Sequence, residues 1–287
     1  MKQIQWYPGH MAKTKRLLQE NIGLVDVIVE LADARIPKSS VNPDFNRLLS
    51  QKPRIIAFNK SDLADASKIS LWKKHYAHED VLCEFIDCKT GRGINDLFTL
   101  VKKAAEPVIQ KDLSKGRVFR PIKMMAVGIP NTGKSTFINR VAKNAATKTG
   151  NKPGVTKGKQ WVKVNREITI LDTPGILWPK FEDEEVAKNL AFTGAISDDI
   201  LDLPDIAFFL LKRLNTMYPD AVKKRYGIED DPDEGQSLLD LIARAKGCLL
   251  KGGEPDYERV AKMVLDDFRS SRLGCITLEV PDGGDFL

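Results

Sequence analysis

Gly128-Ile-Pro-Asn131-Thr132-Gly133-Lys134-Ser135 sets two glycines in one short loop, directly before a lysine and a hydroxyl side chain. Glycines so placed let the backbone wrap tightly, and successive N–H groups with the N-terminus of a following helix then face an anion. Phosphate suits that cradle. Lys134 can reach its outer oxygens and work catalytically there, Ser135 offers the hydroxyl that ligates Mg²⁺, and Thr132, Gly133 and Thr136 border the same phosphates. An apolar run, Ile122 to Val127, comes before the loop and a helical pattern, Thr136 to Ala142, comes after it. This is the strand-loop-helix setting that the chemistry requires.

A second group reads a base. Asn59-Lys60-Ser61-Asp62 follows the apolar run Arg54 to Phe58, and the Asp62 carboxylate can accept from both N1–H and the 2-amino group of guanine. Adenine offers neither donor, and an unpaired buried carboxylate is costly, so the site rejects ATP. Asn59 would support the loop and meet the base, while the Lys60 stem covers its face. Alone the quartet is an ordinary polar turn; beside a phosphate loop that reading loses. Asp87-Cys88-Lys89, after Val81 to Ile86, would complete the pocket, mainly through backbone amides.

A third group closes over the phosphates. Asp172-Thr-Pro-Gly175 follows Glu167 to Leu171, so Asp172 can hold Mg²⁺ through water while the Gly175 N–H senses the γ-phosphate. Thr156, in Pro153-Gly-Val-Thr156, is the candidate for a mobile loop that closes on Mg²⁺ and the γ-phosphate.

The order is base loop, second base loop, phosphate loop, switch, Mg²⁺ loop, with the base-reading quartet ahead of the phosphate loop rather than behind it. In this order the chain resembles the circularly permuted GTPases. Trp6-Tyr-Pro-Gly-His10-Met-Ala-Lys13, Asp33-Ala-Arg-Ile-Pro37 and Asp172-Thr-Pro-Gly-Ile-Leu-Trp-Pro179 are similar, over almost the full length, to members that act in bacterial large-subunit assembly. Cys88 departs from the Ser-Ala-Lys usual at the second base loop. The resemblance implies GTP binding and hydrolysis to GDP at a late step of 50S maturation, stimulated by the subunit and driving release. It also implies rRNA contact through a helical C-terminal domain. A free monomer in the cytoplasm is expected.

In Ras-like enzymes a glutamine after the Mg²⁺ loop orients the attacking water, and here that position is Ile176, so intrinsic turnover should be slow. Two other sources stand out: His10, whose imidazole can orient or deprotonate water near neutral pH, and a K⁺ ion at Asn131, where K⁺-dependent GTPases use an asparagine.

These groups need a rigid frame. Val25 to Ala32, Arg54 to Phe58, Val81 to Ile86 and Ile122 to Val127 are short apolar runs suited to buried parallel strands. Helical patterns at Asn42 to Ser50, Asp65 to His78 and Ile94 to Glu106 lie between them. This alternation predicts an α/β fold, a doubly wound, mostly parallel sheet that binds ligand at the carboxyl ends of its strands. Pro107 to Pro121 reads as the joining linker. A chain of 287 residues exceeds one ordinary core. Residues 1–178 read as a permuted P-loop G domain with an N-terminal extension, and residues 179–287 as a mostly α-helical domain. Within the latter, Leu203 to Met217, Ser237 to Ala245 and Tyr257 to Phe268 have helical spacing, and Cys275 to Val280 is strand-like.

Charge divides the same way. Residues 1–176 hold 31 Lys and Arg against 16 Asp and Glu, whereas residues 177–287 hold 14 against 23. From Lys102 to Arg166 there are 16 basic residues and only Glu106 and Asp112 to oppose them. Such a stretch repels itself unless anions are near, and a phosphate backbone is the natural partner, with a solvated basic face as the plain alternative. A GTPase acting on tRNA and an RNA scaffold with a structural nucleotide site remain as other functions. No apolar run approaches the ~20 residues that span a membrane, and Met1 to Trp6 lacks a signal-peptide core. Cys83, Cys88, Cys248 and Cys275 show no Cys-x-x-Cys spacing, so neither zinc nor a disulfide framework is expected. His75 and His78 read as solvated.

Overall fold

The computed structural model describes residues 10–117, 120–143, 161–173, 177, 183–228 and 237–281, with the side chains of residues 10–15 and of Lys143 excepted. Among the described residues six strands form one sheet: β1 (Val27–Asp33), β2 (Arg54–Asn59), β3 (Cys83–Phe85), β4 (Ile122–Gly128), β5 (Trp161–Lys163) and β6 (Ile168–Asp172). Their order is β3-β2-β1-β4-β6-β5. All neighbours are parallel except β5, which runs antiparallel to β6.

Every residue of β1 is buried, as a central parallel strand covered on both faces must be. Side chains alternate between those faces. Val27, Val29 and Leu31 pack under α4 (Ile94–Ser114) and α5 (Lys134–Lys143), with Leu97, Val101 and Phe137 opposite them. Ile28, with Met125 and Val127 of β4, faces the other way. It joins Leu18 of α1 (His10–Ile22), Phe45 of α2 (Asp44–Leu48) and the helices of the C-terminal half. A third cluster sets Phe58 and Phe85 against Trp72 and Tyr76 of α3 (Ala66–His78).

The C-terminal half contains α6 (Glu184–Phe192), a 3₁₀ turn (Asp198–Ile200), α7 (Leu203–Met217), α8 (Pro219–Tyr226), α9 (Leu238–Ala245) and α10 (Tyr257–Arg269). Asp183, Asp202, Ser237 and Asp256 each accept a backbone N–H at a helix start, which satisfies donors otherwise left open there. Buried Leu190, Leu210, Ile242 and Val264 belong to the same cluster as the sheet residues Ile28 and Met125. One apolar core therefore runs from the sheet into the helices.

Three expectations change. Residues 107–121 are not a linker throughout, because α4 continues through Pro107 to Ser114. Proline removes one helical hydrogen bond, but Ala104 and Ile109 still pack on the second cluster and Gln110 bonds to Glu106 one turn back. Residues 275–281 form no ladder; with Ile276, Thr277 and Leu278 buried, they cross the loops at the end of the sheet instead. His75 is not simply solvated, since its ring meets Trp72 edge-on at 5.3 Å. Among the described residues no group of three or more His, Cys, Asp or Glu is arranged to hold a metal, all four cysteines are unbridged, and no helix is long and apolar enough to cross a membrane.

Candidate functional site

Register places the sequence motifs at one edge. Asp33 lies opposite Asn59, Leu31 opposite Gly128 and Ala126 opposite Asp172, so the loops after β2, β4 and β6 leave the sheet side by side. Those carboxyl ends are where open α/β sheets bind ligands. Gly128 is required there: a Cβ would stand 2.5 Å from the Leu31 carbonyl oxygen.

Asn59 joins the loop after β2 to the loop after β4. Its Nδ2 donates to the Thr132 carbonyl at 2.7 Å, and its Oδ1 accepts from the Cys88 N–H at 3.0 Å. Three segments distant in sequence are thus locked through one amide. Gly133 makes the approach possible, with φ of 90° and no room for a Cβ, which would meet Asn59 Nδ2 at 2.2 Å. Thr132 is buried and its hydroxyl donates to the Ile129 carbonyl, while Ser135 and Thr136 are exposed at the mouth of the loop.

A cleft of about 180 Å³ lies against these groups, lined by Asn59, Lys60, Asp62, Asp87, Cys88 and Gly133 among others. Lys60 has φ of 63°, and its Nζ donates to Asp33 Oδ2 at 2.8 Å. Arg35 donates to both oxygens of the same carboxylate. Burial favours the neutral acid at Asp33, but Arg35 and Lys60 outweigh it and hold the carboxyl well below the usual range. Burial likewise lowers Lys60 despite the opposing pull of Asp33. Asp87 is buried and would be raised by desolvation; bonds from the Thr90 hydroxyl and the Lys89 and Thr90 N–H groups lower it instead. The Cys88 thiol is pushed up to about 12, chiefly by burial, so it is a neutral wall rather than a nucleophile.

At the phosphate end Lys134 Nζ bonds to Asp172 Oδ1 at 2.7 Å. Asn131, in the left-handed region with φ of 61°, donates its amide to the Gly194 carbonyl of the C-terminal half. An exposed serine hydroxyl and an aspartate carboxylate are hard oxygen donors of the kind Mg²⁺ takes. Ser135 and Asp172 therefore fit that ion. For K⁺, Asn131 offers its remaining amide oxygen. Four expected groups are not placed: Thr156, Gly175 and Ile176 lie outside the described residues, and His10 begins α1 while its side chain lies outside them.

Sequence reasoning missed part of the cleft wall: Arg35, Thr193 and Arg269 also line it. Arg269 is held by the Ala191 and Phe192 carbonyls and by both oxygens of Asp198. Arg35 lay within a run whose family likeness was visible, but nothing local in the sequence marks Arg269 as lining the same cleft as Lys60.

Residues 123–230 match a family described as "50S ribosome-binding GTPase". The ribosome biogenesis GTPase A of Bacillus licheniformis is 46% identical over 97% of this chain and 99% of its own. The chain belongs to the ribosome biogenesis GTPase A family. It is also 30% identical to the mitochondrial ribosome-associated GTPase 1 of Bos taurus, over 96% of this chain and 88% of that one. The crystal structure of GNP-bound YlqF from T. maritima superposes with a TM-score of 0.62 at 28% identity, covering 94% of this chain and 99% of that one.

Membership in the ribosome biogenesis GTPase A family accounts for where the match to the broader GTPase family begins. Residue 123 lies in β4, so the matched stretch holds the phosphate loop and Asp172 but neither Asn59 to Asp62 nor Asp87 to Lys89. The Asn59–Asp62 and Asp87–Lys89 loops precede it in the chain and are tied to it in space through Asn59. That is the permuted order of a P-loop GTPase, in a mostly parallel sheet with a helical C-terminal region.

Proposed function

We propose that this GTPase binds GTP in the cleft between the Asn59–Asp62 loop and the phosphate loop, and acts in the cytoplasm as a monomeric factor at a late step of large ribosomal subunit maturation. The Asn59 bracket carries the reading. It joins the base loop, the second base loop and the phosphate loop through one side chain, so a nucleotide seated there meets all three in fixed register. Asp62 accepts from the guanine N1–H and 2-amino groups. Lys60, pinned by Asp33, lays its stem over the ring, and Asp87 and Cys88 close the far side. The loop from Asn131 to Thr136 surrounds the phosphates.

Binding exchanges one ion pair for another. Lys134 leaves Asp172, to which it is bonded in this structure, and turns to the β- and γ-phosphates, which frees the Asp172 carboxylate to hold metal-bound water. Mg²⁺, held by Ser135, Thr156 and that water, would neutralise charge developing on the transferred phosphoryl group. The Gly175 N–H and Thr156 report the γ-phosphate. With Ile176 unable to orient water, His10 or K⁺ at Asn131 completes the site once the subunit docks. We assign residues 1–178 to the G domain and residues 179–287 to a helical domain that contacts rRNA. The relatives' names, a ribosome biogenesis GTPase and a ribosome-associated GTPase, support a ribosomal partner.

The test is steady-state GTP hydrolysis in K⁺ buffer, alone and with purified large or small subunits. Stimulation by the large subunit alone is the expected result, lowered by His10→Ala at unchanged GTP affinity. Equal rates with both subunits and without them would remove the assembly role and leave nucleotide binding.

A further inference from the structure

The Asp62 carboxylate has no side-chain partner among the described residues, so its aim into the cleft depends on the backbone of its own loop. That loop is held from a distance. Past α10 the chain turns back as a strap, residues 275–279, in which Ile276, Thr277 and Leu278 are almost wholly buried. The Cys275 thiol donates to the Asp62 carbonyl at 3.4 Å, and the Ile276 N–H donates to the Leu63 carbonyl at 3.0 Å. The Thr277 hydroxyl accepts from the Asp65 N–H at 3.1 Å. The Leu278 N–H donates to the Arg35 carbonyl at 2.8 Å, beside the guanidinium that grips the partner of Lys60.

The strap's far end is anchored. Glu279 accepts from the Lys38 and Ser39 N–H groups, from the Ser39 hydroxyl and from Asn189 of α6, and its carbonyl takes the Trp72 indole N–H. The hydroxyl of Tyr218, between α7 and α8, bridges the Asp65 carboxylate and the strap's Thr277 backbone. Consecutive strap residues therefore meet, in turn, the loop that carries Asp62, the first turn of α3 and the segment that carries Arg35. Burial of the strap's own side chains fixes the other face of each bond.

We propose that this strap, and Ile276 and Thr277 in particular, sets guanine specificity by holding Asp62 and Lys60 in register, as positioning residues that never touch the nucleotide. The inference rests on the reading of Asp62 as the base-recognising carboxylate. Discrimination by a charged acceptor depends on alignment with both donors, and a displacement of a few tenths of an ångström in the supporting shell weakens it. The strap belongs to the C-terminal half, so base selection in this protein is completed by residues more than two hundred positions after the quartet that performs it.

The measurement uses the full-length protein and two ligands that differ only at position 2 of the base, GDP and IDP, the latter lacking the 2-amino group. Dissociation constants are compared for the wild type, for Thr277→Val, which removes the acceptor of the Asp65 N–H, and for Ile276→Pro, which removes the donor to Leu63. Val101→Ala, on the opposite face of the sheet, serves as a control of lowered stability. The wild type should prefer GDP, the strap variants should lose at least about fivefold of that preference, and the control should retain it. Equal weakening of GDP and IDP in the strap variants would overturn the inference and make the strap merely structural. A wild type with no preference would overturn the Asp62 reading itself, and the inference with it. Should Ile276→Pro not fold, the Thr277→Val ratio decides.

Discussion

Glu30 sits in the middle of β1, wholly buried, and accepts the Asn42 N–H at 2.8 Å. Arg54 stands 3.3 Å from its other oxygen without the alignment of a hydrogen bond. Burial pushes its carboxyl up to about 7 from 4.5, against the pull of Arg54 and the Asn42 N–H. A folded state that holds the proton more tightly than the unfolded chain is most stable below the unfolded value and loses stability as pH rises through the folded one. The loss therefore falls between about pH 4.5 and 7 and amounts to roughly 3 kcal/mol at most. Urea unfolding at pH 5 and pH 8 should show the wild type weakening across that interval and Glu30→Gln nearly level. Parallel curves for the two proteins would place the proton elsewhere. The lowered carboxyls of Asp33 and Asp87 act in the opposite sense and at lower pH, so the difference between the two proteins isolates Glu30.

At the scale of elements, α4 shows how tertiary packing overrides a local breaker. Pro107 is exposed and lacks the N–H that would bond one turn back, but the apolar stripe through Leu97, Val101 and Ala105 is buried against the sheet, and the helix holds its course. Pro107→Ala restores the missing bond and relieves the ring's clash, a gain partly offset by greater freedom in the unfolded chain. The variant should be more stable by about 1 kcal/mol, read as a higher midpoint in urea with unchanged slope. A lower midpoint would show that the proline's fixed φ matters more than its missing donor. The loops differ from the helices in this respect. Asn59 and Gly133 have no apolar stripe to fall back on, so their geometry rests on individual hydrogen bonds and close backbone approach, whereas the strap combines its bonds with burial of Ile276 and Leu278 in the core.

For the whole molecule, the shared core decides how the two halves behave. Ile28, Met125 and Leu171 of the sheet belong to one cluster with Leu210, Ile242 and Val264 of the helices, and the strap, Asn131 and Arg35 add polar ties between the same parts. Calorimetry should therefore show a single cooperative transition. GDP at about a hundred times its dissociation constant should raise the stability of the whole by roughly 2.7 kcal/mol. Two resolved transitions, only one of them moved by GDP, would mean that the helical half folds by itself. The pairing of Asn131 with Gly194 also places the phosphate loop against the C-terminal half, so a ligand that moves the loop moves that contact.

The strand runs, most helices and the motifs after β2, β3, β4 and β6 were legible because each depends on local pattern: apolar periodicity, glycine spacing and polar residues that suit only a few turns. Helices α1, α6 and α8 and the short β5 escaped notice, since weakly patterned or short segments acquire their structure from the surface they cover. The sequence by itself determined the identity and order of the chemical groups, because side-chain chemistry and spacing need no partner to be read. Only the tertiary structure decided that Asn59 brackets three loops, that Lys60 is pinned by a buried Asp33, that Arg269 lines the cleft, and that the strap after α10 is bonded to the backbone of the Asp62 loop. These are hydrogen bonds and burial between residues far apart in the chain, and long-range pairing of that kind leaves no period or spacing behind.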